Sequence, residues 1–225
     1  MSRARVAALI SGRGSNMAAL LAAARAPDYP AEIALVLSNK ADAAGLRTAA
    51  EAGVATAVVE SHRFGRDREA FEHAMDAELE RHAIGIVALA GFMRVLTPWF
   101  VRRWAGRLVN IHPSLLPSFP GLDTHERAIA AGVRFHGCTV HLVSEGVDEG
   151  PILAQAAIPV RQDDTPDTLA ARVLAEEHRI YPAALAWLAA GRVSVQDGRA
   201  VIAGAAYPAG ASVCPLPDGP GLSTP

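Results

Sequence analysis

Short apolar runs alternate with longer amphipathic ones along the first half of the chain. Arg5–Ile10, with its apolar run Val6–Ile10, reads as a buried strand, closed by a glycine-rich turn and followed by a helical pattern through about Arg25. Ile33–Leu37 predicts a second strand, Ala41–Ala52 a helix ending at Gly53, and Ala55–Val59 a third strand. Asp67–His82 carries Phe71, Met75 and Leu79 on one helical face. Ile84–Ala88 then predicts a fourth strand, Pro98–Trp104 a short helix and Leu108–Ile111 a fifth strand. This β-α-β-α order predicts an α/β fold, an open and mostly parallel doubly wound sheet of Rossmann-like type with helices on both faces. Right-handed crossovers would bring the functional loops to the carboxyl ends of the strands.

The pattern changes after Pro113. Ser114–Asp123 is a proline-rich loop, and Phe135–Val143 and Ile152–Ile158 read as further strands, expected to be partly antiparallel. Gly146, Gly150 and Pro151 punctuate the segment between them. Thr165–Ala190 predicts a long helix entered through Asp164-Thr165-Pro166, with capping residues and an early proline. A hairpin is expected about Asp197-Gly198. The expected organisation is one domain over residues 1–206 and a disordered Pro/Gly-rich tail over 207–225.

Composition narrows the classes. Of 225 residues 51% are hydrophobic, enough for a sizeable core, and the formal charge is -2. No basic excess or stripe points to nucleic acid, and Lys40 is the only lysine. Cys138 and Cys214 make neither a disulfide framework nor a zinc-ligand spacing, so a reducing compartment is expected. The run Val6–Ile10 is too short for a signal-peptide core, and Ala83–Met93 contains two glycines and cannot span a bilayer. A cytoplasmic protein without membrane association is expected.

Two stretches carry candidate chemistry. Ser11-Gly12-Arg13-Gly14-Ser15-Asn16 lies between the first strand and the first helix. Its glycines allow close backbone approach, and the N–H groups opening the helix suit a phosphate. The third glycine of a dinucleotide fingerprint is missing, as is the Gly-Lys-Ser/Thr of a triphosphate loop, so a monophosphate ester fits better. A plain turn with Ser15 as helix cap is the alternative. The second stretch is Leu108-Val-Asn-Ile-His-Pro-Ser-Leu-Leu-Pro117. Alternation points Asn110 and His112 to one side of a strand end. An amide and an imidazolium there can stabilise the oxyanion formed when an amine attacks a carbonyl, and the imidazole can shuttle a proton. Such a histidine needs a carboxylate to orient it, for which Asp148 in Glu145-Gly-Val-Asp-Glu-Gly150 is the candidate. A strand-end structural histidine and a turn aspartate remain the alternative from spacing alone. No Gly-x-Ser-x-Gly string supports an acyl-enzyme, and His136 and His141, on opposite sides of an alternating strand, form no metal set.

From about Val6 to Leu188 the sequence resembles the phosphoribosylglycinamide formyltransferases, a folate-dependent family. The resemblance rests on motifs in order: residues 11–16, Ser-Asn-Lys-Ala-Asp-Ala (38–43), Leu-Ala-Gly-Phe-Met-Arg (89–94), the string 106–117, His-Gly-Cys-Thr-Val-His (136–141) and Glu-His-Arg-Ile-Tyr-Pro (177–182). It implies the Rossmann-like formyltransferase fold and transfer of formyl from 10-formyltetrahydrofolate to the amine of glycinamide ribonucleotide, with no metal. It assigns Asn110, His112 and Asp148 to catalysis, and Gly14, Ser15, Asn16 and Glu177 to the ribonucleotide. Arg68, Met93, Arg94, Val95 and Leu96, together with Asn110, fall to the folate. Without it, Glu177 would read as an exposed partner of Arg172 or Arg179, Arg68 as a solvated charge, and Met93–Leu96 as core packing. Arg13 and Asp123 depart from the usual family residues. The expected partners are small molecules, with neither nucleic acid nor membrane, and a homodimer is compatible with the resemblance.

Other readings differ in their requirements. The methionyl-tRNA formyltransferases share Ser-Leu-Leu-Pro, but they resemble longer chains with a C-terminal barrel and a basic surface. A formyltetrahydrofolate deformylase, or hydrolase, is expected to carry a regulatory domain ahead of its catalytic one, with no counterpart before Arg5, and would not need Gly14-Ser15-Asn16. A non-enzymatic folate or nucleotide sensor would have no use for the Asn–His–Asp set.

Overall fold

The computed structural model describes residues 3–210, 212 and 214 of the chain. β1 (Ala4–Ile10), β2 (Ala31–Ser38), β3 (Ala55–Val58), β4 (Ile86–Leu89) and β5 (Leu108–His112) pair in parallel. They are linked in turn by α1 (Ser15–Ala23), α2 (Ala44–Glu51), α3 (Arg68–Arg81) and α4 (Pro98–Arg103). After α5 (Thr124–Ala130), β6 (Phe135–Leu142) and β7 (Ile152–Pro159) continue the sheet antiparallel, giving the order β3-β2-β1-β4-β5-β6-β7. The long α6 (Pro166–Ala189) follows, then a hairpin of β8 (Val193–Gln196) and β9 (Arg199–Ile202). Asp197 and Gly198 turn it at φ 49° and 74°, as the twist of a two-residue hairpin requires.

Strand alternation decides what each layer buries. Val6, Ala8 and Ile10 join Met17 and Leu20 of α1 and Leu169 and Val173 of α6 in one cluster. Ala7 and Leu9 join Phe71, Met75 and Leu79 of α3 and Phe100 of α4 in another. A strand covered on both faces needs no polar positions, which is why Val6–Ile10 of β1 and the whole of β4 read as continuous apolar runs. Each fully buried leucine, such as Leu9, contributes roughly 1.5–3 kcal/mol relative to exposure.

The winding reverses at β1. The chain runs outward through β2 and β3 and then returns to lay β4 on the other side of β1. The loops leaving β1 and β4 therefore diverge and open a crevice at the carboxyl ends of the strands. Tyr181 sets α6 against this edge. Fully buried, its hydroxyl lies 2.9 Å from the Leu89 carbonyl and 3.2 Å from that of Val109. Glu177, about one helical turn earlier, is thereby held beside the phosphate-loop stretch.

Several boundaries differ from the sequence expectation. β4 begins at Ile86 rather than Ile84, because the Ala83 and Ile84 N–H groups still bond the Glu80 and Leu79 carbonyls of α3. Helix α2 begins at Ala44 rather than Ala41, and α1 stops at Ala23. The short α5 was not expected, since its buried positions are only Thr124 and Ala128 and give no helical stripe to read. Most of the tail expected to be disordered, 207–225, lies outside the described residues. Among the described residues no helix is long and apolar enough to cross a membrane.

Candidate active site

β5 delivers the first two groups. Leu108 packs into the α3–α4 cluster while Val109 and Ile111 face the other, so Asn110 and His112 share the side of Leu108. The antiparallel register sets His141 opposite Asn110 and Thr139 opposite His112. Asn110 Nδ2 lies 3.3 Å from His141 Nε2, and His141 Nδ1 lies 2.9 Å from the Leu142 carbonyl. A carbonyl only accepts, so Nδ1 carries the hydrogen and Nε2 of the neutral ring accepts from the Asn110 amide. Burial keeps this ring neutral by pushing its pKa down, against the Leu142 carbonyl and Asp148, which favour charge. One hydrogen of the Asn110 amide is thus committed, and its other is free for a ligand. Sequence reasoning assigned His141 no role. Its signal was the alternating 136–141 string, but the strand register that sets it against Asn110 is a tertiary fact.

Asp148 completes the group from the loop between β6 and β7. Its Oδ2 is 3.4 Å from His112 Nδ1 and its Oδ1 3.8 Å from His141 Nε2. Gly121 N–H donates to Oδ2 at 2.9 Å, tying this loop to the one after β5. His112 Nε2 donates to the Phe119 carbonyl at 3.1 Å. Thr139 anchors the start of the same loop, donating to the Ser114 carbonyl at 2.6 Å and accepting from Leu116 N–H at 3.1 Å. Asp148 sits in the left-handed region at φ 57°, which Asp tolerates better than most residues. A Cβ on Gly150 would stand 1.7 Å from the Leu142 carbonyl oxygen, so only glycine lets the loop return along β6.

The phosphate-loop stretch is pressed onto α2. Gly14, at φ 72°, precedes α1, and a Cβ there would approach Met17 Cε to 2.9 Å and Gly45 Cα to 3.4 Å. Gly45 is itself required, since a Cβ on it would meet Ile10 Cδ1 at 2.6 Å and the Arg13 carbonyl at 3.2 Å. The sequence reading gave Gly45 no part. Ser15 is not the helix cap; it is the first helical residue and exposed, and no side chain caps α1. The opening N–H groups of the helix thus have no side-chain acceptor. Asn16 is buried and donates from Nδ2 to Glu177 Oε2 at 2.6 Å, while its Oδ1 has no partner. Burial raises the Glu177 pKa, opposed by the Asn16 bond. Glu177 is therefore no solvated helix charge, and Arg172 and Arg179 pair instead with Asp164 and Glu176. Replacing Asn16 by alanine should raise KM for a phosphate-bearing acceptor several-fold more than KM for the second substrate. Equal changes in both would count against this assignment.

Alongside lies a cleft of about 770 Å³, whose lining includes Asn110, His112, His141 and Asp148 as well as Met93, Arg94, Val95 and Leu96. Large apolar side chains stand exposed around it: Met93 67%, Val95 64%, Leu122 75% and Val147 57%. Such a concentration of apolar surface beside a few convergent polar groups suits a flat, largely apolar ligand. Met93 and Val95 are thus not core packing, whereas Leu96 is partly buried against the α3–α4 cluster. Arg94 stacks over Phe71 at 5.9 Å, and Asp123 lines the cleft in a left-handed conformation at the start of α5. Arg68 is exposed at the first position of α3 and is not part of the cleft lining; Arg13 is exposed on its loop. No group of three or more potential ligand side chains able to hold a metal ion occurs among the described residues.

Behind the centre, His136 Nε2 lies 3.2 Å from His125 Nδ1, with Phe119 packed edge-on at 6.0 Å. Burial, then the neighbouring His125, pushes the His136 pKa down from 6.5 to about 4; burial also lowers that of His125. The unfolded chain then binds more protons than the folded one between these values, so stability falls as pH drops from about 6.5 towards about 4. The urea midpoint should accordingly fall between pH 7.5 and pH 5, and fall less in His136→Asn. The same decline in both proteins would place the sensitivity elsewhere.

The structure is thus a doubly wound α/β sheet with Asn110, His112 and Asp148 lining a cleft, whose lining does not include Gly14, Ser15, Asn16 or Glu177. The chain belongs to the formyl transferase family, whose pattern matches residues 4–185. It is 43% identical over 203 residues to the phosphoribosylglycinamide formyltransferase of Escherichia coli (strain K12), covering 90% of this chain and 95% of that protein. It is 51% identical over 195 residues to the trifunctional purine biosynthetic protein adenosine-3 of Homo sapiens, covering 87% of this chain but 19% of the relative. The chain thus spans about a fifth of the length of such trifunctional relatives. Glycinamide ribonucleotide transformylase 1 from Symbiobacterium toebii superposes with a TM-score of 0.86 at 44% identity, over 89% of this chain and 94% of that one.

Proposed function

We propose that the protein transfers the formyl group of 10-formyltetrahydrofolate to the amine of 5'-phosphoribosylglycinamide, as a cytoplasmic enzyme of de novo purine biosynthesis. The observation that carries this reading is the convergence of Asn110, His112 and Asp148 in a cleft rimmed by exposed apolar side chains. The residues present fit a folate: Met93–Leu96 offers apolar surface and backbone polar groups to a flat ring, and Asn110 stands at its inner end. Arg68 is assigned to the folate by the resemblance alone. The folate, when bound, supplies a formyl group on nitrogen. Gly14, Ser15 and Asn16 would hold the ribonucleotide phosphate, and Glu177 the glycinamide part.

The acceptor amine attacks the formyl carbon directly. Asn110, oriented by His141, donates a hydrogen bond to the oxygen as it gains negative charge, and His112, faced at Nδ1 by the Asp148 carboxylate, does so from Nε2 on exchanging the Phe119 carbonyl for that oxygen. His112 also moves a proton from the attacking to the leaving nitrogen. The chemistry needs small-molecule substrates only, with neither nucleic acid nor membrane, and suits a monomer or a homodimer.

The test is a spectroscopic assay of formyl loss from 10-formyltetrahydrofolate, with and without the ribonucleotide. Turnover only in its presence supports the transferase. Equal turnover without it would make water the acceptor and the protein a deformylase.

A further inference from the structure

Within Met93–Leu96 the side chains of Met93 and Val95 are largely exposed, and packing is confined to Leu96 against the α3–α4 cluster and Arg94 over Phe71. Its two ends are held instead. At one end the Met93 N–H donates to Ser11 Oγ at 2.8 Å. The Ser11 hydroxyl donates in turn to Asn39 Oδ1 at 2.6 Å, and its backbone N–H to the Gly91 carbonyl at 3.1 Å. Ser11 is buried and opens the phosphate loop. At the other end the Thr97 N–H donates to Glu72 Oε1 at 2.7 Å, and the Thr97 hydroxyl donates to Glu72 Oε2. Glu72, on α3, is 1% exposed, and burial pushes its pKa up against these two bonds. Taking a carboxylate out of water is costly, and here both oxygens are spent on one residue at the end of a cleft loop.

We propose that Ser11 and Glu72 are positioning residues for the folate, clamping Met93–Thr97 from its two ends so that its backbone is ordered before binding. The proposal rests on the folate reading of the cleft. A loop that the ligand must order binds more weakly, whereas the Asn110–His112 centre, on β5, is untouched. Loss of a clamp should therefore appear in folate binding rather than in the transfer step.

The experiment compares wild type with Ser11→Ala, Thr97→Val, Glu72→Leu and Glu72→Gln. It measures KM for each substrate, kcat, and Kd for tetrahydrofolate by calorimetry. Ser11→Ala and Glu72→Leu should raise KM for 10-formyltetrahydrofolate and Kd for tetrahydrofolate about tenfold, the scale of one or two lost hydrogen bonds. In Thr97→Val and Glu72→Leu, which lie away from the phosphate loop, the ribonucleotide KM and kcat should change less than about twofold. Thr97→Val, which loses only the hydroxyl, should fall between, and it carries the test with Ser11→Ala if Glu72→Leu does not fold. Glu72→Gln should bind nearly as wild type, since its amide oxygen can accept from Thr97 N–H and its nitrogen can donate to the hydroxyl. Unchanged folate binding in the variants, losses spread evenly over both substrates and kcat, or Glu72→Gln as weak as Glu72→Leu would each overturn the proposal. Absence of tetrahydrofolate binding by the wild type would instead reject the folate reading, and the proposal with it.

Discussion

Replacing His112 by alanine is expected to lower kcat on the order of 10² or more while leaving folate binding largely intact. A hundredfold loss corresponds to about 2.7 kcal/mol of transition-state stabilisation, the scale of one well-placed donor to an oxyanion. The imidazole stands on β5, whose paired backbone holds its place without the side chain. The Met93–Leu96 side of the cleft belongs to a different strand-end loop, so the variant separates chemistry from binding. Single-turnover rates with tetrahydrofolate Kd measured in parallel are the check. A near-normal rate would remove His112 from the mechanism.

Asp148→Asn should cost a similar factor by a different route. Asparagine has nearly the same shape, and its amide oxygen can still accept the Gly121 N–H that joins the two loops. What disappears is the negative charge 3.4 Å from His112 Nδ1. Without that charge the imidazole loses the carboxylate that faces it, and kcat is expected to fall on the order of 10². Gly150→Ala should reach the same end by displacing the loop, because its new Cβ would overlap the Leu142 carbonyl. The two differ in stability: Gly150→Ala should lower Tm by several degrees, and Asp148→Asn much less. An Asp148→Asn enzyme with wild-type kcat would show that the carboxylate acts only as a loop tie.

The architecture was largely legible because α/β layering writes a periodic signal. β1 is apolar from Val6 to Ile10 since both its faces are covered there, and α3 shows Phe71, Met75 and Leu79 on one side. Asn110 and His112 could be set on one face by counting alone. The short α5 and the start of β4 could not be read. Seven residues with two buried positions carry no period, and Ile84 looks apolar whether it ends a helix or begins a strand.

Local chemistry thus specified the elements, the glycine-rich turn after β1 and the pair of donors at the end of β5, since each depends only on neighbours in the chain. The residues offered Asp148 only as a candidate partner of His112; the resemblance, not the spacing, assigned it to catalysis and tied Glu177 and the Met93–Leu96 segment to these. Tertiary structure alone decided how distant groups meet. Antiparallel pairing sets His141 against Asn110, and Gly150 lets Asp148 return to His112. The Tyr181 bonds to Leu89 at the end of β4 and to Val109 near the start of β5 bring Glu177 onto Asn16, 161 residues away in sequence. Strand register, close backbone approach and helix docking are relations between elements, and no window along the chain contains both partners.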